Sequence, residues 1–428
     1  MHKFILFAGI AICFGELVLA RTVTLVFTTR NNGVLRDCGC ALECQGGLPE
    51  RMTLFKALRK VQAQSIFLDS GGFFSTMGRQ RNDEIVIRAY ESLKYDAIAI
   101  SEQEFIDGWE FFEAKLLRSK CALVSANLIE KATGKLLVQP FRIVEAGDVR
   151  IGITAITSES IFRYMPAAKY DRLEILPWLD ALQKTLENIG SRADIRVLLA
   201  QVTRQELMTV AEEVEGIDVI VQGYQAYVPE TGFERLHDTI VISAGVDGQQ
   251  VGRLDLHLDR TKRLVDFNIE YICINNTILD DESIDSLTAA YFEEFNMLSN
   301  QGGQRSTGLP IFGVTYCRQC HVLEFDKWQN SKHAQAFLPI QQSRKSNRDC
   351  IACHTTGWKG AAITPDSGIP DELTAVQCEA CHQFDVTKIN PAVEAHPDSV
   401  GESVCIKCHT HTNSPQFEFH DYWKRIAH

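Results

Sequence analysis

The last quarter of the chain contains the pattern Cys-x-x-Cys-His four times, at residues 317–321, 350–354, 378–382 and 405–409. Two thiols at this spacing form thioether bonds with the vinyl groups of haem, and the histidine that follows supplies the first axial ligand of the iron. With 14 Cys and 12 His in 428 residues, a shuffled chain would contain on the order of 0.01 such matches. Zinc sites also use Cys-x-x-Cys pairs, but they give no reason for a histidine after every pair. The sequence therefore predicts four covalently bound haem c groups.

The cysteines predicted to attach haem are Cys317, Cys320, Cys350, Cys353, Cys378, Cys381, Cys405 and Cys408. The predicted first axial ligands are His321, His354, His382 and His409. A segment of about 120 residues that encloses four haems has too few apolar residues for a conventional core. We therefore expect the macrocycles to fill its interior, with short helices and loops around them.

Charge and composition limit the class of partner. The net charge is −12 and 45% of the residues are hydrophobic, as in a globular protein with a real core. No basic stripe is present, so nucleic acid is not expected as a partner. Redox proteins that present a basic face are the predicted partners, and a homo-oligomer remains open.

The N-terminus reads as a signal peptide. Lys3 is followed by an apolar stretch over residues 4–14, and residues 18–20 form a small-residue cleavage site. A membrane anchor is the alternative, but the apolar run is short and is interrupted at Glu16. No later segment approaches about 18 uninterrupted apolar residues, so no transmembrane segment is predicted. The expected location is outside the cytoplasm: periplasmic, extracellular or at the cell surface.

Residues 22 to 270 alternate between short β-rich runs and amphipathic helical stretches, which predicts an α/β domain with a buried sheet. Predicted strands span 22–28, 65–68, 97–100, 122–126, 195–200, 219–221 and 239–243, and predicted helices span 49–61, 83–93, 109–118, 177–189 and 205–215. Residues 142–157 and 251–265 have the pattern of antiparallel hairpins, so we expect a mixed sheet. The predicted organisation is a signal peptide (1–20), an α/β domain (21–275), a helix and linker (276–310) and a haem domain (311–428).

Five cysteines remain outside the haem motifs and the signal peptide: Cys38, Cys40, Cys44, Cys121 and Cys273. The first three form a Cys-x-Cys-x3-Cys cluster in a glycine-rich loop. A metal or redox role is open for this cluster, and a disulfide to Cys121 or Cys273, or a loop retained from a family, is favoured over it.

The sequence around the haem motifs resembles one cytochrome family. The matching elements are Trp-x-x-Ser-x-His-Ala at residues 328–334, Thr355-Thr356-Gly357 after the second motif, and the helix that closes at His428. Over residues 316–428 they resemble the tetrahaem cytochrome c family of ammonia-oxidising bacteria, the electron acceptors of hydroxylamine oxidoreductase. The resemblance implies a mostly α-helical, haem-packed domain.

The same resemblance implies second axial ligands at His333, His396 and His428. The family has a Gly-Pro-Gly-Ser-x-His run after the third motif, whereas this chain has Gln383-Phe384-Asp385, which weakens the match of His396. His411 and His420 stay open as ligands or as neighbours of a haem edge. Because the second haem of the family is five-coordinate, the haem at residues 350–354 is expected to have an open distal position.

The first domain resembles the 5′-nucleotidase branch of the calcineurin-like metallophosphoesterases. The matching stretches are residues 27–35, 38–48, 68–71, 95–97, 104–105 and 244–248. The resemblance implies a mixed-sheet sandwich. In active members two divalent metals, held by Asp, Asn and His at strand ends, activate water against a phosphate ester.

At the positions of those ligands this chain carries other residues. They are Arg30, Asn32, Gly71, Gly72, Ser101, Glu102, Gln103, Glu104, Gln201, Tyr224 and Ala226. Arginine places a positive charge where two cations should lie, and Gln and Tyr are poor ligands for such a site. The sequence therefore predicts an inactive phosphoesterase-like domain whose metal ligands are lost.

Together these features predict an exported electron-transfer protein with four haems and an inactive scaffold or docking domain, and they favour an electron carrier over an enzyme. One alternative is a haem enzyme acting on a small nitrogen or sulfur species at the open haem. Another is a subunit of a conductive assembly with stacked haems. An active 5′-nucleotidase is the least favoured interpretation.

Overall fold

The computed structural model describes residues 21–36, 44, 46–62, 64–76, 78–225, 228–229, 232–300, 313–319, 321–342, 348–356, 373–382, 400–410, 414 and 416–427. For residues 292–300, 341–342 and 348–350 the description covers the backbone alone. The predicted signal peptide and much of the predicted linker lie outside these ranges. None of the described helices is long and apolar enough to cross a membrane.

Two six-stranded mixed sheets form the centre of the α/β domain. The first sheet has the order β15-β14-β1-β2-β3-β4 and the second has the order β12-β13-β11-β10-β8-β7. The strands of the first sheet are β1 (Arg21–Thr28), β2 (Ile66–Asp69), β3 (Ala97–Ala99), β4 (Leu123–Val124), β14 (Gln250–Leu258) and β15 (Leu264–Cys273). Those of the second are β7 (Phe141–Ala146), β8 (Val149–Thr157), β10 (Ile195–Gln201), β11 (Val219–Gln222), β12 (Glu234–Leu236) and β13 (Thr239–Ile242). A small third sheet contains β5 (Leu128–Glu130), β6 (Lys135–Leu136) and β9 (Leu173–Ile175).

The parallel strands at the centre of the two sheets bury both faces, so their sequences are near-continuous apolar runs. In β1, Val23, Leu25 and Phe27 point into a core shared with the second sheet, while Val26 packs on the opposite side. In β10, Val197 and Leu199 face the same inter-sheet core. This alternation of period two gives each strand two buried surfaces.

Helices cover the outer face of each sheet. On the first sheet lie α1 (Leu48–Val61), α2 (Gln80–Leu93), α3 (Trp109–Phe111, continued by a π-helical turn at Phe112–Leu116) and α6 (Glu282–Asn300). On the second sheet lie α4 (Trp178–Ile189) and α5 (Arg204–Glu213). Short 3₁₀ turns span Gln103–Phe105, Glu159–Phe162, Ala167–Lys169 and Gly190–Arg192. The domain is therefore a four-layer αββα sandwich, which confirms the predicted mixed-sheet α/β architecture.

The predicted strands and helices of this domain agree with the observed ones to within a few residues. Both predicted hairpins are present as antiparallel pairs, β7 with β8 and β14 with β15. The helix α6, predicted to lie in the connecting region, adds Ile284 and Tyr291 to the core beside α1 and α2. Arg36 fixes it further, because its Nε donates to Thr288 Oγ1 at 2.6 Å.

The C-terminal segment contains short helices around the four motifs. They are α7 (Val314–Cys317), α8 (Val322–Gln329), α9 (Leu338–Gln342), α10 (Arg348–His354), α11 (Cys378–Cys381), α12 (Glu402–Cys405) and α13 (Phe419–Ile426). Among the described residues of this segment, a small apolar cluster is buried, formed by Phe337, Ile340, Ile351 and Ala375 with Trp328 packed against it.

Candidate functional site

The loops that follow the parallel strands meet at one edge of the sandwich. Strands β1, β2 and β3 run parallel in one sheet, and β8, β10, β11 and β13 run parallel in the other. The carboxyl ends of parallel strands are where α/β folds bind ligands, because every following loop opens there. Among the described residues, the positions predicted from the sequence to match the family's metal site lie at the ends of these strands or on the loops that follow them.

The centre of this edge is an ion pair between Arg30, after β1, and Glu102, after β3. Arg30 Nη1 lies 3.4 Å from Glu102 Oε1, with 15% and 13% of the two side chains exposed. The Arg30 guanidinium also lies over the ring of Tyr224, 5.5 Å from its centroid. The arrangement presents one cation, one carboxylate and one phenol at the mouth of the edge.

Behind the ion pair lies a fully buried amide. Gln201, the last residue of β10, donates through Nε2 to the Ser70 carbonyl oxygen. Its Oε1 accepts a hydrogen bond from Ser101 Oγ at 3.0 Å, and Ser101 Oγ also contacts Glu102 Oε2. Gln201 thus joins the two sheets at the site, and its amide groups are already engaged.

The loop after β1 is held in a strained conformation. Arg30 and Asn32 have φ values of 40° and 51°, which non-glycine residues seldom adopt. Asn32 Nδ2 donates to Asp247 Oδ1 at 2.7 Å, and the Asp247 N–H donates to the Arg30 carbonyl at 2.7 Å. The loop after β13 therefore fixes the position of Arg30.

Gly72 shows why a carboxylate does not fit at its position. Its φ is +73°, and a Cβ added there would lie 2.7 Å from Gln103 Oε1 and 3.1 Å from Arg30 Cγ. An aspartate at this position would be strained by its backbone, and the Gln103 and Arg30 side chains would have to shift to admit it.

Glu104 organises the backbone beneath the site. Its carboxylate accepts hydrogen bonds from the N–H groups of Ser101 at 2.6 Å, Phe73 at 2.8 Å, and Gly72 and Phe74 at 3.3 Å. Burial raises the pKa of Glu104 to about 7, although these N–H donors favour the ionised form. Because it is fully buried, Glu104 has a structural role at this edge.

A second buried network lies under β1 and β2. Asp69 Oδ2 accepts hydrogen bonds from Thr28 Oγ1 at 2.5 Å and from the Tyr90 hydroxyl at 3.2 Å. Burial raises the pKa of Asp69 to about 6, against the opposing effects of Thr28 and the charge on Arg51. The fully buried Arg51 donates to Asn31 Oδ1 at 2.7 Å. Arg51 was not identified from the sequence, because an arginine near the start of an amphipathic helix is usually solvated.

The donor set does not fit the pair of divalent metals that the fold family implies. Arg30 is a cation, and the Gln201 and Asn32 amides are bound to protein groups. Among the described residues no group of three or more His, Cys, Asp or Glu side chains is arranged to hold a metal ion. Hard divalent cations require several oxygen or imidazole ligands, which this edge does not present.

In the C-terminal segment the structure brings two predicted iron ligands together. The ring centroids of His333 and His409 are 6.1 Å apart. If haem is bound, these two imidazoles would be candidates to hold the same iron. Burial, followed by the charge on His409, lowers the pKa of His333, and burial lowers the pKa of His409.

In two motif histidines the Nδ1 atom contacts a protein oxygen. His354 Nδ1 donates to the Ala336 carbonyl oxygen, and His409 Nδ1 lies 2.9 Å from Ser414 Oγ. Ligating histidines typically have such a partner, because it fixes the tautomer and the orientation of the ring. His321 is exposed at the start of α8, and His382 ends α11.

The motif cysteines lie close to one another in two places. Cys317 and Cys378 are in hydrogen-bonding contact, and so are Cys353 and Cys408. Cys381 and Cys405 are also free thiols among the residues that the structure describes. The Cys320 residue, the Cys350 side chain, His396, His411 and His428 lie outside the described residues.

The Thr-Thr tail of the second motif has a structural role. Thr355 Oγ1 donates to the Ile351 carbonyl at 2.7 Å, and Thr356 Oγ1 donates to the Ala375 carbonyl at 2.9 Å. The Trp328 indole donates to the Val376 carbonyl at 2.8 Å. These bonds tie the strand-like segment before the third motif to the second motif and to α8.

A disulfide links Cys44 to Cys273, one of the two partners that the sequence left open. Cys121 is a free, partly buried thiol. Cys38, Cys40 and Ala226 lie outside the described residues.

Comparison with known proteins agrees with the fold. The chain is 25% identical over 283 residues to a snake venom 5′-nucleotidase from Naja atra, covering 58% of this chain and 52% of the relative. It is 24% identical over 275 residues to a 5′-nucleotidase from Homo sapiens, covering 58% and 47%. A putative 5′-nucleotidase from Staphylococcus aureus superposes with a TM-score of 0.58 at 18% identity, covering 81% of this chain and 71% of that one. The N-terminal half has the fold of the 5′-nucleotidase-type metallophosphoesterases.

The chain spans about half the length of the curated relatives that it matches. In the C-terminal segment, the family model described as cytochrome c554 and c-prime matches residues 316–383. This match gives limited support for a cytochrome-like segment and covers only a small fraction of the chain.

These comparisons overturn the predicted function. The sequence predicted an electron-transfer protein, with a haem enzyme or a conductive assembly as alternatives, and a nucleotidase ranked last. The sequence relatives that it matches over its α/β domain are 5′-nucleotidases, and this similarity contradicts the predicted electron-transfer function. The prediction that the protein is more an electron carrier than an enzyme and lacks phosphoesterase activity is therefore wrong. It was drawn from the residues that stand at the positions of the family's metal ligands.

Proposed function

We propose that the protein is a hydrolase of the 5′-nucleotidase type and acts on a phosphate ester at the strand-end edge of the α/β domain. The similarity to 5′-nucleotidases supports the reaction class. The observation that carries the proposal is the partly exposed Arg30–Glu102 pair, with nitrogen and oxygen 3.4 Å apart, at the edge where this fold binds its ligands.

The two residues have complementary roles in this proposal. Arg30 binds the phosphoryl oxygens, because a guanidinium matches phosphate geometry and offsets its charge. Glu102 accepts a proton from the attacking water as its oxygen bonds to phosphorus, and the ester P–O bond breaks. The departing oxygen receives the proton from Glu102, so the carboxylate is regenerated. Tyr224 limits the movement of Arg30 by lying against its guanidinium.

We further propose that this reaction does not use the dinuclear metal centre of the fold family. The positions that would hold the metals carry Arg30, Gly72 and Gln201, and an aspartate cannot occupy position 72 without strain. Loss of those ligands removes the Lewis acids, which in metal-dependent hydrolases contribute several kcal/mol to the reaction. We therefore expect a slow enzyme.

The test is turnover of AMP and p-nitrophenyl phosphate by the full chain in excess chelator. Arg30→Gln and Glu102→Gln should each lower kcat/KM by about 100-fold or more. Arg163→Gln, which removes an arginine stacked on exposed Tyr164, is the matched control and should leave kcat/KM unchanged. The proposal would be overturned if the wild type shows no turnover in chelator, or if Arg30→Gln has the same kcat/KM as the wild type.

We propose separately that the C-terminal segment attaches four c-type haems. The four Cys-x-x-Cys-His motifs support this cofactor, and so do the engaged Nδ1 atoms of His354 and His409. In this proposal His321, His354, His382 and His409 are first axial ligands, and His333, His396 and His428 are second ones. The separation of His333 and His409 favours these two as ligands of one iron.

The haem proposal is tested by counting covalent haem in the purified chain. We expect four haems per chain, and three in the double variant Cys350→Ser/Cys353→Ser, as measured by the pyridine haemochrome spectrum and intact mass. A Cys121→Ser variant should keep all four, because Cys121 lies outside the motifs. A wild-type chain without covalent haem would disprove the proposal.

We also propose that the protein works outside the cytoplasm. The Cys44–Cys273 disulfide supports this location, because structural disulfides persist in oxidising compartments. Fractionation of the native host should recover the chain, cleaved before Arg21, in the periplasm or outside the cell. Recovery of an uncleaved chain from the cytoplasm would contradict it.

A further inference from the structure

Two aspartates beneath the site loops have carboxyl groups in hydrogen-bonding contact with each other. Asp83 lies in the first turn of α2, and Asp107 follows the 3₁₀ turn Gln103–Phe105. The Oδ2 atoms of both are buried, and among the described residues neither has an N–H or O–H donor. Two carboxylate oxygens in contact repel each other unless one carries a proton. We propose that Asp83 and Asp107 share one proton and act as a pH-sensitive latch between the loops of the site.

The latch joins all three loops that follow β1, β2 and β3. Asp83 Oδ1 accepts from the Ser75 N–H at 2.9 Å, which holds the loop after β2. The neighbouring Asn82 Nδ2 donates to the Gly33 carbonyl at 2.9 Å, which holds the loop after β1. Asp107 belongs to the loop after β3, five residues beyond Glu102. The loops that carry Gly72 and Glu102 therefore meet at this carboxyl pair, and the loop that carries Arg30 is held by the neighbouring Asn82.

Burial and the repulsion between the two carboxylates favour a proton in the pair. Burial and the negative charge of Asp107 raise the pKa of Asp83 to about 8, against the opposing effects of the Ser75 and Asn82 donors. Burial also raises the pKa of Asp107, against the opposing effects of its bond to Asp83 and the charge of Lys169 on the 3₁₀ turn Ala167–Lys169. At neutral pH one proton therefore lies between two carboxyl groups.

The sign of the pH dependence follows from these pKa directions. When the latch opens, both carboxyls return to water, where an aspartate has an ordinary pKa of about 4. Between about pH 4 and about pH 8 the closed form holds a proton that the open form releases, so opening becomes more favourable as the pH rises. Above about pH 8 both forms are deprotonated and the opening equilibrium levels off.

Hydrogen exchange of the full chain, followed by mass spectrometry, measures this equilibrium in peptides that contain residues 72–79 and 104–109. After correction for the intrinsic exchange rate, we expect protection in the wild type to fall several-fold per pH unit between about pH 5 and pH 8 and then to level off. Asp107→Asn replaces the shared proton with an amide N–H donor and should give protection that is independent of pH. Asp83→Asn should do the same, and its amide oxygen can still accept from Ser75.

Asp218→Asn is the matched control, because Asp218 is also a largely buried aspartate with a raised pKa, but it accepts from the Arg196 N–H at the opposite end of β10. In this variant the fall of exchange protection with pH should be the same as in the wild type in both peptides. If protection in Asp107→Asn or Asp83→Asn also falls with pH as it does in the wild type, the latch is overturned. Because the readout is exchange and not turnover, the latch and the proposed hydrolysis can fail independently.

Discussion

The two regions of the chain are stabilised in different ways. In the α/β domain, strands such as β1 and β10 bury side chains on both faces, and aromatic rings fill the space beneath the helices. In the C-terminal segment the described buried core consists of Phe337, Ile340, Ile351 and Ala375. The α/β domain has enough apolar side chains to form its own core. In the C-terminal segment, the described residues form one small apolar cluster, and cysteine and histidine side chains are prominent around it.

The contrast extends to the polar groups. Buried carboxylates of the α/β domain, such as Asp69 and Glu104, accept several hydrogen bonds from the protein itself. Around the motifs, the His333 and His409 rings lie beside each other, and His409 also stacks on Phe417. Polar groups therefore hold the fold in one region, and in the other the described histidine rings contact one another and aromatic side chains.

The largest expected effect comes from equal truncations in the two cores. Leu199→Ala leaves a cavity between the two sheets and should lower the free energy of unfolding of the α/β domain by about 2–5 kcal/mol. Ile351→Ala removes a similar side chain from the small cluster and should leave the unfolding transition of that domain unchanged. Thermal and urea unfolding, followed by circular dichroism, measure the stability of both variants. Equal losses of unfolding free energy in the two variants would contradict the difference between the two regions.

The Cys44–Cys273 disulfide stabilises only the first region. It closes a loop of more than 200 residues, and its removal by Cys44→Ser/Cys273→Ser should cost about 2–4 kcal/mol of unfolding free energy. The covalent haem count should be unaffected. A loss of haem in this double variant would show that the two regions fold as one unit.

Buried carboxyl groups should make the α/β domain less stable as the pH rises. The folded-state pKa values of Glu104 and Asp69, about 7 and about 6, lie above the ordinary values, so the folded state binds more protons than the unfolded one. The unfolding free energy should fall between about pH 4 and pH 7, by up to about 1.4 kcal/mol per pH unit for each group. Glu104→Gln should flatten the upper range of this curve. An unfolding free energy that rises over this range in the wild type would contradict the burial argument.

The smallest effect concerns a helix start at the second sheet. Thr203 caps α5, and Glu206 completes a capping box with its side chain on the Thr203 N–H at 2.8 Å. Thr203→Ala should cost about 1 kcal/mol of unfolding free energy, and Thr203→Ser should cost little. A loss above about 3 kcal/mol would indicate that Thr203 supports more than the helix.

The main strands and helices of the α/β domain could be predicted from the sequence, because the hydrophobic patterns that indicate them lie within short segments. Continuous apolar runs predicted strands such as β10, and helical periodicity predicted α4 and α6 with small errors at their ends. The resemblance to phosphoesterases also placed Arg30, Glu102 and Tyr224 at one edge, where the structure brings them together. Only their chemistry was misjudged when the domain was predicted to be inactive.

Other features depend on contacts between distant segments, which a single sequence does not encode. Arg51 is buried because Asn31, Tyr95 and Asp69 surround it. The contact between Asp83 and Asp107 joins residues 24 positions apart through loops of irregular geometry. The third small sheet was also missed, since β6 has only two exposed residues and no alternating pattern.

Hydrolysis of AMP by the full chain in ¹⁸O-labelled water and excess chelator tests the central claim most directly. Attack of water on phosphorus transfers the label to the product, so we predict phosphate that carries one ¹⁸O atom, formed without added metal and greatly reduced in Arg30→Gln. If labelled phosphate does not form, or forms only after divalent metal is added, the account of a metal-independent hydrolase at the Arg30–Glu102 edge is contradicted.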